Sequence, residues 1–71
     1  MINENYFTIT AKMMLAGFKL DRELSGNVEV WRNSQTDKEF VIERDSKNIQ
    51  MSTLESILKQ AGIALEEFKL L

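Results

Sequence analysis

The sequence contains no histidine, no cysteine and no proline. Without cysteine there is no disulfide and no thiolate nucleophile, and without both cysteine and histidine the usual structural zinc sites are excluded, so packing alone must hold the fold. The missing histidine removes the one side chain that titrates near neutral pH in its ordinary state, and with it the commonest general acid and base. No apolar run approaches the roughly 18 residues of a membrane span, and the first residues lack the basic and then apolar stretch of a secretory signal, so a cytoplasmic protein is expected. Nine Lys and Arg against eleven Asp and Glu give a net charge of -2, which supplies no global positive field to gather nucleic acid.

What is present is enough for one small folded unit. The 71 residues, 44% of them hydrophobic, suit a single domain over positions 1–71 with one core and one site. There is no low-complexity tract, and no block of like charge longer than Glu66-Glu67, so neither a linker nor a disordered tail is expected.

The apolar period divides the chain. Tyr6, Ile9 and Met13, flanked by Phe7, Ala11, Met14 and Leu15, recur at helical spacing and predict a helix over residues 5–16, with Asn5 as N-cap and Gly17 as its left-handed stop. From Phe18 the spacing changes to twos: Phe18, Leu20 and Leu24 predict a strand, and Ser25-Gly26-Asn27 a turn. Val28 to Arg32 reads as a second strand, Asn33 to Asp37 as a turn and Lys38 to Arg44 as a third strand. After the loop Asp45 to Asn48, Ser52-Thr53-Leu54-Glu55 has the form of a capping box, so a helix is expected from about Thr53. Its stripe is Leu54, Ile57, Leu58 and Ala61, Gly62 ends it, and Ile63 is placed to fold back on Leu58; Leu65 to Leu70 forms one more short helix. The expected class is α+β: a three-stranded antiparallel sheet covered on one face by two helices, with a short C-terminal helix.

This order, with the tail Leu54-x-x-Ile57-Leu58-x-Gln60-Ala61-Gly62-Ile63 followed by Glu66-Glu67-Phe68, resembles the HicA family of toxins over nearly the full chain. The resemblance implies an αβββα domain similar to double-stranded-RNA-binding domains and, for a typical member, an mRNA-cleaving toxin held inactive by a HicB antitoxin. The family's motif is a glycine, a small residue and a catalytic histidine after the first hairpin turn, with an aromatic three residues beyond. Gly26 and Trp31 match it, whereas Val28 stands at the histidine position, and a second family histidine falls on Asn33. Valine can neither take nor give a proton, so the expectation is a HicA-like domain without catalytic residues or cofactor.

Three other groupings could carry chemistry. Glu29, Glu39 and Glu43 are candidates for a Mg2+-binding carboxylate set that replaces the imidazole, against the plainer reading as solvated strand positions. Lys19, Arg22, Arg32, Lys38, Arg44 and Lys47 are candidate contacts to double-stranded or structured RNA, with Trp31 either a stacking platform or a core residue; acids close by in sequence argue for a mixed surface instead. Val28 and Val30 share one face of the second strand while Trp31 takes the other, so the strand is apolar on both sides. That pair marks the leading candidate for binding a protein: a HicB-like antitoxin, another protein, or a second copy of the chain.

Overall fold

The structure is a computed structural model and describes residues 4–71. Its elements are α1 (Tyr6–Leu15), β1 (Phe18–Glu23), β2 (Val28–Asn33), β3 (Lys38–Glu43), α2 (Met51–Ala61) and α3 (Leu65–Lys69). The strands form one antiparallel sheet in chain order, β1-β2-β3, which places the chain in the α+β class.

The start and stop of α1 follow the expected chemistry. The Asn5 side chain accepts from the Thr8 amide at 2.9 Å, and the chain leaves the helix through Gly17 at φ 101°. A β-carbon at Gly17 would stand 3.1 Å from Asn33 Nδ2, so the turn needs glycine for space as well as for backbone angle. The second helix stops as its sequence requires. Gly62 is left-handed, and the Ile63 amide reaches back to the Leu58 carbonyl at 3.0 Å in a Schellman closure.

Its start differs from the expectation. The helix begins at Met51, two residues earlier, its cap is Gln50 with no side-chain hydrogen bond, and Ser52 lies inside the first turn. The capping box is therefore not formed. A backbone tie replaces it: the Ile49 amide donates to the Glu4 carbonyl at 2.7 Å, Asn48 turns the chain at φ 52°, and buried Ile49 joins Leu54 in the core as a hydrophobic staple.

In β1 the even spacing is broken. Leu20 pairs with Trp31 and Arg22 with Val30, so Asp21 is an extra residue, and the bulge turns Arg22 to the face away from the helices. One face of the sheet carries Phe18, Trp31, Phe40 and Ile42 into the core, where they meet Ile9 and Met13 of α1, Leu54, Ile57, Leu58 and Ala61 of α2, and Phe68 of α3. Phe40 is the hub. Its ring meets Phe18 edge-on at 5.3 Å and stacks over Trp31 at 6.1 Å. Trp31 is thus a core residue and no stacking platform.

The outer edge of β3 is closed by a side chain. The Val41 amide, which has no strand to pair with on that side, donates to Gln60 Oε1 of α2 at 2.9 Å.

Candidate functional site

The face of the sheet opposite the helices is uncovered among the described residues. Cross-strand register places Lys19 beside Arg32, Arg32 beside Glu39, Arg22 beside Val30, Val30 beside Val41, and Val28 beside Glu43 on this face. It therefore has an apolar line of Val28, Val30 and Val41 set among charges of both signs.

The two arginines are held by carboxylates. Arg22 pairs with Asp21 and reaches Glu39 at 3.5 Å; Arg32 pairs with Asp37 and lies 4.0 Å from Glu39. The Arg22–Glu39 contact runs from β1 to β3 and so crosses the middle strand. That strap accounts for Val30, which is only 2% exposed although it faces away from the helices. Of the two valines expected to meet a partner, Val30 is closed over and Val28 is half-buried. The open apolar position is Val41, at 41% exposure. Its signal is the alternation Phe40-Val41-Ile42, which sends Val41 to the face opposite its two buried neighbours.

The six candidate RNA-binding cations do not form one surface. Only Lys19, Arg22 and Arg32 share the open face. Arg44 sits at the β1-β2 turn, bound to Glu23 at 2.8 Å and to the Asn27 side chain at 3.3 Å. Lys38 lies on the helix side, its stem against Gly62, and Lys47 lies in the loop before α2.

The three candidate metal-binding carboxylates are also separated. Glu39 and Glu43 face outward, but Glu29 pairs with Ile42 on the helix side, so the pleat puts it across the sheet from the other two. No cluster of three metal-ligating side chains occurs among the described residues. Glu29 is 2% exposed, and Oε1 accepts from the Tyr6 hydroxyl at 2.7 Å and from Trp31 Nε1 at 3.0 Å. Its role is to fasten α1 to β2.

Burial and this bond together raise the pKa of Tyr6. Burial, then the hydrogen bond to Glu29, then the charges of Glu29 and Asp45, outweigh Arg44 and push the phenol from 10.0 up to about 12. A raised folded-state value stabilises fully below the unfolded value. Stability is therefore expected to fall from pH 10 to pH 12, by about 1–2 kcal/mol after the screening that solvent gives this partly exposed phenol. Urea midpoints measured at pH 9, 11 and 12 on the wild type and on Tyr6→Phe check this, since lysine titration is common to both and the decline should be steeper in the wild type.

The two positions at which the resemblance would place histidines, Val28 and Asn33, are equally informative. Val28, at the start of β2, is on the open face with Glu43 as its cross-strand neighbour, whereas Asn33, at the other end, points to the helix side. Asn33 is buried with both polar side-chain atoms bonded: Nδ2 donates to the Ala16 carbonyl at 3.1 Å, and Oδ1 accepts from the Gln35 amide at 2.9 Å and the Thr36 amide at 3.4 Å. It buckles the end of α1 to the β2-β3 turn. Opposite faces and opposite ends of one strand cannot bring these two positions to one phosphodiester.

A hollow of about 310 Å³ lies between β3 and the start of α2, with Val41, Ile42, Ile49 and Ile57 on its wall. Glu43 is its one ionisable lining residue, so it has no acid and base pair for proton transfer. No protein-family model matches the chain, and no curated protein matches its sequence.

Proposed function

We propose that this chain is a HicA-like αβββα domain of the double-stranded-RNA-binding-domain type that does not cleave RNA and acts by binding a HicB-like protein across its open sheet face. The observation that carries this reading is Val28. It occupies the place where the resemblance puts the catalytic imidazole, on the open face, with Glu43 as its only ionisable cross-strand neighbour. The choice of a protein over RNA rests on the charges. Arg22 and Arg32 are already engaged by Asp21, Asp37 and Glu39, and a net charge of -2 opposes approach of a polyanion. Exposed Val41 beside half-buried Val28, rimmed by paired charges, has the make-up of a protein contact.

The test combines cleavage and binding. Purified protein should leave mRNA intact both in EDTA and with added Mg2+, and should bind a HicB antitoxin in titration calorimetry. Val41→Lys, at an exposed position, should weaken that binding at least tenfold with an unchanged melting temperature. RNA cleavage in either buffer overturns the non-cleaving part. No heat of binding, together with salt-sensitive binding to an RNA duplex, replaces the protein partner with RNA.

A further inference from the structure

The first helix is apolar on two sides. Ile9 and Met13 fill the core, while Phe7, Met14 and Leu15 are 68%, 56% and 75% exposed, and Ala11 between them is exposed too. At 100° per residue these four positions form one stripe, well away from the buried one. A helix apolar all round is ordinarily covered. Asn5, Thr8 and Thr10 satisfy one another's or the helix's own backbone, and Lys12, the only charged residue of α1, places its ammonium 4.6 Å over the Phe68 ring. The helix therefore brings no charge of its own to the exposed stripe, and Lys47 and Glu4 border it at Phe7.

We propose that this stripe is a homodimer interface, in which the first helices of two copies cross about a two-fold axis at Ala11. Three features select a second copy as the occupant. The ridge Phe7-Ala11-Leu15 is spaced by fours and is symmetric about Ala11, with a large apolar side chain four residues to either side. A two-fold axis there sets Phe7 of each copy against Leu15 of the other, and ridges of this spacing interlock at a crossing near -50°. The small side chain at the centre lets the two backbones approach.

Charge agrees with this choice. Each copy carries -2, and a stripe whose own four residues are uncharged lets two identical acidic chains meet with few like charges facing. The area sets the strength. Phe7, Met14 and Leu15 expose on the order of 400 Å² of apolar surface, within the range of the largest, often functional, patch on a monomer. A standard interface takes about 800 Å² from each partner, so the dimer is a weak one, with a dissociation constant in the range of about 10 μM to 1 mM.

The absence of cysteine makes the symmetry directly testable, because one introduced thiol is then the only one. Sedimentation of the wild type from 10 μM to about 2 mM should show a monomer–dimer equilibrium. Ala11→Arg should remain monomeric throughout with an unchanged circular dichroism spectrum and melting temperature. Under mild oxidation Ala11→Cys should form a covalent dimer at least tenfold faster than Ser56→Cys, an exposed position on α2, because only at the axis does a residue meet its own copy. A wild type that stays monomeric to 2 mM, a dimer that persists in Ala11→Arg, or equal cross-linking at positions 11 and 56 overturns the proposal. Each outcome is separate from the behaviour of Val41→Lys, which reads the open sheet face.

Discussion

Phe40→Ala is expected to remove about 3–5 kcal/mol of stability and to lower the melting temperature by 15 °C or more. The side chain is fully buried and is the one ring that touches both Phe18 and Trp31, so its loss opens a cavity where the three strands meet the helices. A chain of 71 residues holds about 4–10 kcal/mol in all, without a disulfide or metal in reserve. The variant therefore sits at or near the point of unfolding. Urea denaturation followed by tryptophan fluorescence measures it, and Phe40→Leu, which keeps most of the volume, should cost no more than about 1.5 kcal/mol. Similar costs for the two would mean that ring stacking matters more than filled volume.

The second large effect concerns Glu29. Alanine at this position leaves Trp31 Nε1 buried without an acceptor and frees the Tyr6 hydroxyl from β2, for an expected cost of about 2–4 kcal/mol. Glutamine keeps a carbonyl oxygen able to accept both bonds, and Glu29→Gln should cost about 1 kcal/mol. The pair of variants separates hydrogen bonding from charge. Glu29→Gln should also bring the Tyr6 phenol down toward its ordinary value, because the negative charge that helps to raise it is gone. Phenolate absorbance against pH reads that shift. An unchanged Tyr6 titration would assign the whole effect to burial.

Much of the architecture was legible because the residues that punctuate it are few and specific. Gly17, Gly26 and Gly62 each occupy a positive-φ turn at the end of an element, and the change of apolar period at Phe18 separates helix from strand. The site was less legible, and for local reasons. A bulge at Asp21 reverses the facing of the rest of β1, so Arg22 lies outward and its contact with Glu39 closes over Val30. Glu29 carries the charge of a surface residue, and only the three-dimensional meeting of Tyr6 and Trp31 makes it a core acceptor.

The N-terminus of α2 shows the opposite error. Ser52 to Glu55 has a capping pattern that stays unused, because a backbone tie far away in sequence, Glu4 to Ile49, starts the helix sooner. The outer stripe of α1 was visible in the spacing of Phe7, Ala11, Met14 and Leu15. Spacing alone could not separate a broad buried face from two faces, one of them open.

The same tie between Glu4 and Ile49 bears on how the chain assembles. Strand order equals chain order, so the two hairpins and the packing of α2 on β3 join near neighbours, whereas α1 reaches Glu29 and Ser46 far along the chain. The Glu4–Ile49 bridge joins positions at opposite ends of that sequence of events and has no value until the meander between them exists. Because it is no part of the β1-β2-β3 ladder, the bridge ties the segment before α1 to the start of α2 independently of the strand pairing.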